Sequence, residues 1–212
     1  MNAELLARLI DTAHATIEGH AAQLDALDEA IGDGDHGTNL TRGLAALRAG
    51  RDELAGLPLG AALERMGETL ADATGGDGGR FYGALLTGMG RAASSADALS
   101  PSQLAGMLRA GVAAVETKGR AAKGDKTLLD VLVPVAQAVE NLVAEGRTEQ
   151  LGGRMVAAAA HGLHATTHMV ARHGLAADLG PASVNRLDPG ACSCALLVGA
   201  LVSALEEADS KA

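Results

Sequence analysis

The chain has 212 residues, of which 48% are hydrophobic, and this is enough to bury the core of one domain spanning 1–212. Its net charge of −9 argues against nucleic acid as a partner, because binding to nucleic acid requires clustered cations. Phe81 and Tyr82 are the two aromatic residues of the sequence, too few for a platform on which bases stack. The composition therefore predicts one domain that binds neither DNA nor RNA.

Membrane and secretion signals are not apparent in the sequence. The longest apolar candidate, 195–205, is shorter than the run of about 18 residues that a membrane span needs. The N-terminus carries Glu4 and Arg8 in a helical pattern and lacks the regions of a signal peptide. Cys192 and Cys194 lie too close together for an unstrained disulfide within a helix. We therefore expect a reduced, cytoplasmic protein without a membrane partner.

Helical periodicity runs through almost the whole sequence, and the alternation typical of strands is absent. Leu104, Leu108 and Val115, for example, recur at the spacing of one helix face. The predicted helices are approximately 3–19, 21–30, 37–50, 58–73, 79–95, 101–118, 126–146, 150–173 and 189–208. The first two are either separate helices or the halves of one broken helix. Short connections make neighbouring helices antiparallel, so the sequence predicts an all-α bundle of about eight amphipathic helices.

Glycine and aspartate are concentrated where four of the predicted helices begin. These junctions are 32–37, 75–79, 124–127 and 188–190. A helix start needs only a cap and a turn, so four junctions of this kind indicate a binding site at one end of the bundle. The first N–H groups of a helix lack partners and bind anions, which makes phosphate the expected ligand.

The first junction contains three closely spaced carboxylates, Asp28, Asp33 and Asp35, which repel one another unless a cation lies among them. Carboxylate oxygens favour Mg²⁺ or Ca²⁺ over zinc. A calcium-binding EF-hand loop starting at Asp33 is excluded, because Thr38 and Leu44 occupy positions that require glycine and glutamate. Mg²⁺ completed by ligand phosphates and water is the better interpretation. Capping alone would explain a single Asp-Gly-Asp, but not this clustering.

Three other features differ in how well a simpler explanation accounts for them, and the four glycines of 75–79 are hard to explain unless something approaches the backbone closely. The segment 188–190 is a strong helix start, with aspartate as the N-cap and proline at the first position. The glycine-rich segment 75–79 lacks the lysine and hydroxyl of a P-loop, and no strand precedes it. His161, His164 and His168 share a helical face, but the glutamate of a His-Glu-x-x-His zinc site is absent. We interpret these histidines as a partly exposed polar stripe.

The most specific segments of the sequence are 27–39 (LDEAIGDGDHGTN), 124–130 (GDKTLLD) and 187–191 (LDPGA). In order and spacing they closely resemble the L subunit of dihydroxyacetone kinases, over nearly the whole chain. The resemblance implies a barrel of eight antiparallel amphipathic helices with a nucleotide, ADP or ATP, at one end. It also implies a phosphotransferase whose sugar is held on a separate K subunit. In the phosphoenolpyruvate-dependent branch, an M subunit rephosphorylates the bound ADP.

The resemblance also implies roles for individual residues. Asp28, Asp33 and Asp35 would ligate two Mg²⁺ ions that bridge the nucleotide phosphates. The residues implied to bind the nucleotide are His36, Gly37, Thr38, Asn39, Asp77, Gly78, Gly119, Leu128, Asp188, Pro189 and Gly190. Among these, Gly119 and Leu128 would line the adenine pocket. We name no covalent catalytic residue, because no Ser-His-Asp or Cys-His arrangement is apparent.

The sequence departs from the family pattern at three places. Asp77 and Gly78 replace an Ala-Ser pair, which removes a hydroxyl donor and adds a negative charge beside the phosphates. Leu175 stands where the family places an arginine that reaches the nucleotide, and Cys192 stands at a usual threonine. Phosphate binding is expected to weaken unless Arg80 compensates or Asp77 becomes another metal ligand. We expect the metal site to be retained.

The sequence thus predicts an ADP- and Mg²⁺-binding phosphotransferase subunit of a dihydroxyacetone kinase. Two alternatives stay open. One is a subunit of an ATP-dependent kinase for another small ketose, and the other is a nucleotide-sensing regulatory module. The sequence leaves both the phosphoryl donor and the ketose undecided.

Overall fold

The structure, a computed structural model, describes residues 3–93 and 99–210. All regular elements in these ranges are helical, and eight of the α-helices contain at least 14 residues. The α-helices are α1 (Ala3–Glu29), α2 (His36–Ala49), α3 (Arg51–Ala55), α4 (Leu59–Thr74), α5 (Gly76–Ala92), α6 (Pro101–Gly119), α7 (Leu129–Ala144), α8 (Leu151–Ala165) and α9 (Pro189–Asp209). Short 3₁₀ helices cover Thr148–Gln150, Thr166–His168 and Leu175–Ser183. The predicted all-α fold with about eight helices is confirmed.

The helices form a closed ring. Each long helix packs on the next in the order α1, α2, α4, α5, α6, α7, α8 and α9, and α9 returns to pack on α1. Apolar side chains fill the interior, with Ile17 and Leu24 from α1 and Val131 and Val135 from α7 almost completely buried. The burial of this apolar surface is the main source of stability. Because the interior of the ring is apolar, the polar groups of a site must lie at the ends of the helices.

Several helix boundaries differ from the prediction. α1 is one unbroken helix, because buried Ile17 and Leu24 continue a single apolar stripe past the expected break. The short α3 and the 3₁₀ helix Leu175–Ser183 were not predicted. The predicted helix 79–95 begins earlier, at Gly76, and its last two positions lie outside the described residues. These differences leave the order of the long helices unchanged.

α8 ends at Ala165 instead of continuing to the predicted 173. The Thr166 hydroxyl donates to the carbonyl oxygen of Leu163 at 2.7 Å, and a 3₁₀ turn over Thr166–His168 follows. Side-chain hydroxyls that bond to nearby backbone groups in this way compete with the helical pattern. The chain can therefore leave the ring after α8 and cross the end of the bundle before α9 begins.

α9 is long and apolar enough to cross a bilayer when only its length and composition are considered. It extends well beyond the stretch 195–205 that the sequence analysis weighed as a span. In the ring it packs on α1, α7 and α8. Core helices of bundles meet the same two criteria, so this helix is weak evidence for a membrane partner.

α4 and α5 approach each other closely at two glycines. A Cβ added to Gly83 would lie 2.8 Å from the carbonyl oxygen of Gly67, and one added to Gly67 would lie 2.6 Å from that of Gly83. Neither backbone can move without separating the helices. This contact fixes the turn between them, in which the glycine-rich segment starts α5.

We predict that Gly83→Ala lowers the free energy of unfolding by about 1–3 kcal/mol, because the added methyl group overpacks the α4–α5 contact. The control is Gly106→Ala in α6, where an added Cβ meets nothing within 4 Å. That change should raise the free energy of unfolding by roughly 0.5–1 kcal/mol. Urea denaturation of both variants measures these effects. Equal stabilities for Gly83→Ala and wild type would contradict the close packing.

Candidate functional site

A cavity of about 550 Å³, the size of a small-molecule site, lies where α1 ends and α2, α5 and α9 begin. Eleven of the fourteen predicted site residues line it. They are Asp28, Asp33, Asp35, His36, Asn39, Asp77, Gly78, Leu128, Asp188, Pro189 and Gly190. Residues from four separate segments of the sequence therefore meet at one end of the bundle.

The three remaining predicted residues do not line the cavity, and each has another contact. Gly37 is buried against α1, where an added Cβ would lie 2.2 Å from the carbonyl oxygen of Ala21. Thr38 donates to Asp25 through its backbone N–H at 3.0 Å and through its hydroxyl at 2.7 Å. Gly119 packs on the ring of Phe81. Their direct contact with a nucleotide stays a prediction.

Asp28, Asp33 and Asp35, here called the acidic trio, each offer a carboxylate oxygen within 4.8 Å of the others. Oδ2 of Asp28 accepts backbone N–H groups from Gly34 and Asp35 at 3.0 Å and from His36 at 3.3 Å. Oδ1 faces Gly32, where an added Cβ would lie 2.3 Å away. The turn between α1 and α2 is thus wrapped around one carboxylate.

The donor set of the acidic trio fits Mg²⁺. Three carboxylates supply hard oxygen ligands but too few of them to enclose the ion, so water or ligand oxygens must complete the octahedron. Asp77 and Asp188 also line the cavity, so its carboxylates outnumber the one lysine, Lys126, in its lining. A phosphorylated ligand can enter such a cavity only together with cations.

Three helix N-termini converge on the cavity. The first turn of α5 receives no side-chain cap, which leaves backbone N–H groups for an anion. In α2 the N–H groups of His36 and Thr38 already donate to the carboxylates of Asp28 and Asp25. α9 is capped, because Asp188 Oδ2 accepts the N–H of Ala191 at 2.6 Å. Burial raises the pKa of the Asp188 carboxyl to about 7, although the bond from Ala191 and the charge of Lys126 oppose this rise. Asp188 is therefore held as a cap in a largely dehydrated position.

A buried group of polar side chains links the same three helices. Ser193 Oγ on α9 lies 2.9 Å from Nε2 of His36 on α2 and 2.8 Å from the hydroxyl of Tyr82 on α5. It also donates to the carbonyl oxygen of Gly190 at 3.0 Å. Burial lowers the pKa of His36, against the effect of nearby carboxylates such as Asp28. The contact between His36 and Ser193 therefore fixes the start of α2 relative to α9.

Asp77 is paired with side chains of the protein instead of joining the acidic trio. Its Oδ1 accepts a hydrogen bond from Nη2 of Arg80 at 2.6 Å, and its Oδ2 lies 3.2 Å from Nε2 of His173. Arg80 does not line the cavity, and its side chain is 46% exposed. Arg80 therefore balances the charge that Asp77 adds, which differs from the direct phosphate contact made by the arginine of the family pattern.

Part of the cavity wall is apolar. Phe81, Leu128, Leu175 and Ala176 contribute to the lining, and the rings of Phe81 and His173 lie 5.2 Å apart between centroids. Leu175 is 57% exposed, so an aliphatic side chain lies at the cavity where the family pattern has an arginine. The cavity thus combines an acidic wall, which can hold the cations that phosphates need, with an apolar wall that suits a base.

Sequence reasoning missed Asp25, Phe81, Lys126, His173 and Ser193 as parts of the site. Lys126 stood inside a recognised motif, and its burial could not be read from periodicity. Ser193 lies one residue beyond a cysteine that marked a departure from the family. The partners of Asp25, Phe81 and His173 are brought together only by the fold.

The histidine stripe is confirmed as exposed, since His161, His164 and His168 are all at the surface. The rings of His164 and His168 meet edge to face with centroids 5.7 Å apart. His168 belongs to the 3₁₀ turn after α8, so the three do not share one helix. Among residues 3–93 and 99–210, the acidic trio is the one cluster of at least three potential ligands that could hold a metal ion.

Comparison with known proteins agrees with this geometry. A family profile described as the DAK2 domain matches residues 30–203. The chain belongs to this family. It is 36% identical over 179 residues to the ADP-binding subunit DhaL of PEP-dependent dihydroxyacetone kinase 1 from Listeria innocua, covering 84% of this chain and 85% of that subunit.

Longer members of the family contain the same unit. The chain is 34% identical over 197 residues to D-erythrulose kinase of Mycolicibacterium smegmatis, covering 92% of this chain and 34% of the kinase. The dihydroxyacetone kinase of C. freundii, solved in complex with AMP-PNP and Mg²⁺, matches 94% of this chain with a TM-score of 0.70 and 25% identity. This chain spans 34% of the length of the C. freundii kinase.

We predict that Arg80→Ala weakens binding of Mg²⁺-ADP by about two- to fivefold, the range for a half-exposed ion pair. The physical reason is that Asp77 would keep its negative charge in the cavity lining without its guanidinium partner. The double variant Arg80→Ala/Asp77→Ser should recover the affinity, because the negative charge of Asp77 is then absent. Isothermal titration calorimetry of the single and double variants measures this.

The matched control is Arg65→Ala, which removes an exposed arginine paired with Glu68 at the same spacing on α4. It should bind Mg²⁺-ADP as wild type does. If Arg80→Ala still weakens binding after Asp77 has been replaced by serine, Arg80 contacts the nucleotide itself and the charge-balancing account is wrong.

Proposed function

We propose that this chain is the ADP- and Mg²⁺-binding phosphotransferase subunit of a dihydroxyacetone kinase. In this proposal it passes a phosphoryl group from phosphoenolpyruvate, delivered by an M-type phosphocarrier subunit, to dihydroxyacetone held on a K-type subunit. The observation that carries the proposal is the meeting of the acidic trio with three helix N-termini in one cavity. The name of the Listeria innocua relative supports it.

The chemistry of phosphoryl transfer suits this site. The reaction depends on positioning and charge neutralisation more than on a side-chain nucleophile. The acidic trio would hold the Mg²⁺ ions, which neutralise phosphate charge when they are bound. The N–H groups at the start of α5 offer donors to phosphate oxygens, and Phe81 and Leu128 offer apolar surface to the base. The chain's own contribution is to bind and orient.

The sugar is assigned to a partner because the nucleotide and its Mg²⁺ ions would fill the cavity at the acidic trio. The exposed carboxylate of Asp33, at the helix ends that also carry Asp77 and Asp188, favours a partner face rich in arginine or lysine, whose association weakens with salt. Cys192 and Cys194 are buried and unpaired, which is compatible with the reducing cytoplasm that we propose as the location.

The second candidate is an ATP-dependent kinase for another small ketose. The match to D-erythrulose kinase favours it, since the same unit occupies about a third of that longer protein. Most of the D-erythrulose kinase therefore lies outside the part that matches this chain. The two candidates therefore share the nucleotide site and differ in the phosphoryl donor and in the sugar-binding part. A nucleotide-sensing module, the third possibility, would bind ADP without any transfer.

We predict that the purified chain with Mg²⁺, dihydroxyacetone and ATP forms no sugar phosphate, because we assign no group among residues 3–93 and 99–210 to presenting the acceptor hydroxyl. With phosphoenolpyruvate and the general phosphotransfer proteins, turnover should require both a K-type and an M-type subunit. Coupled detection of dihydroxyacetone phosphate measures the reaction. Sugar phosphate from the chain and ATP alone would overturn the subunit assignment.

Two variants sharpen the assay. Asp35→Asn should lower turnover by roughly a hundredfold or more, the scale for losing charge stabilisation in the transition state. Asp52→Asn, at a carboxylate that is 90% exposed on α3, should leave it unchanged. Turnover with ATP and erythrulose, without an M-type subunit, would favour the second candidate. Nucleotide binding with no turnover in any combination would favour the sensing module.

A further inference from the structure

Among the described residues, Lys126 is the largest side chain that is almost completely buried, with 1% of its surface exposed. Lysine is rarely buried, because removing an ammonium group from water is costly unless it is hydrogen-bonded. Its backbone φ of +63° lies in the left-handed region, which residues other than glycine seldom adopt. The roles given above to residues of the motif 124–130 explain neither the burial of this ammonium group nor its positive φ.

The ammonium group of Lys126 joins segments that are distant in sequence. Nζ donates hydrogen bonds to the carbonyl oxygens of Thr166 and Arg186. Thr166 begins the turn after α8, and Arg186 lies just before the start of α9. Lys126 itself precedes α7. One side chain therefore fastens together three stretches of chain around the cavity.

The segment before α9 is tied to the same turn by backbone groups. The N–H of Asp188 donates to the Thr166 hydroxyl at 3.2 Å, and that of Asn185 donates to the carbonyl oxygen of Thr167 at 2.7 Å. Asp188 in turn caps α9 through the N–H of Ala191. The position of the cavity residues 188–190 thus depends on how firmly 185–188 is held against 166–167.

The loop that carries Lys126 is itself held in place. The two carboxylate oxygens of Asp130 accept the N–H groups of Gly124 at 2.7 Å and Thr127 at 2.9 Å. Burial lowers the pKa of Lys126, while the charges of Asp188 and Asp130 raise it. The ammonium group is therefore presented from a fixed loop to the carbonyl oxygens of Thr166 and Arg186. The Thr166 carbonyl also accepts the N–H of Met169 at 3.2 Å.

We propose that Lys126 is a positioning residue that holds the segment 186–190 in place, so that Asp188, Pro189 and Gly190 close over the nucleotide. This inference rests on the proposed function, since the nucleotide is the ligand of that segment. Without the ammonium group, the carbonyl oxygens of Thr166 and Arg186 lose a shared donor. The start of α9 then opens more often, and nucleotide binding must bear the cost of reordering it.

The test compares Lys126→Met with two controls. Lys123→Met makes the same chemical change at an exposed position in the same loop. Leu54→Ala truncates the core in α3, away from the cavity, and matches a loss of stability. For each variant we would measure the thermal midpoint, the Kd for Mg²⁺-ADP, and amide hydrogen exchange over 185–192 in the nucleotide-free protein.

Lys126→Met should weaken Mg²⁺-ADP binding by roughly ten- to a hundredfold, the range for losing a charge-assisted hydrogen bond. It should also speed exchange at the first amides of α9. Both controls should bind as wild type does, and their exchange over 185–192 should match wild type once global stability is taken into account. Wild-type affinity in Lys126→Met would overturn the proposal, and so would weaker binding with unchanged exchange, because Lys126 would then act by direct contact.

If Lys126→Met does not fold, Thr166→Val provides the test. It removes the hydroxyl that accepts the N–H of Asp188 and keeps the ammonium group of Lys126. Weaker binding together with faster exchange over 185–192 would support the positioning account. Wild-type behaviour in both measurements would contradict it. Failure of the wild-type chain to bind Mg²⁺-ADP would instead refute the proposed function, so the two failures can be distinguished.

Discussion

The carboxylate of Asp28 is the group on which the site depends. One of its oxygens accepts the consecutive backbone N–H groups of Gly34, Asp35 and His36, and the turn between α1 and α2 takes its shape from these bonds. The same turn brings the acidic trio together. Because the second oxygen faces Gly32 closely, a larger residue there would disturb the turn and the trio at once. Loop structure and ion binding are therefore set by one side chain.

The charge of the cavity explains why the acidic trio lies where helix N-termini converge. Carboxylates alone would repel a phosphorylated ligand, and the protein's own cations are already engaged nearby. Lys126 bonds to two carbonyl oxygens, and Arg80 is paired with Asp77. Positive potential must then come from bound metal ions and from the start of α5. We therefore expect metal binding and nucleotide binding to be coupled.

The local features of this fold could be predicted from sequence, and the long-range ones could not. Asp28, Asp33 and Asp35 lie close together in the sequence, so the pattern alone indicated a cluster of carboxylates. The end of α8 was misjudged because Thr166 bonds back to the helix, which periodicity does not report. The pairing of Asp77 with His173 joins residues 96 positions apart and depends on how α5 meets the segment after α8. Such contacts become visible only once the ring of helices is closed.

The most direct test of this account is calorimetry with Mg²⁺ and ADP, added separately and together, to the wild-type chain and to Asp28→Asn. The account predicts tight binding to wild type only when both are present, because three carboxylates leave Mg²⁺ mostly hydrated until phosphate oxygens complete its shell. Asp28→Asn should lose this joint binding. Tight binding of Mg²⁺ without ADP, or joint binding by Asp28→Asn equal to that of wild type, would contradict it.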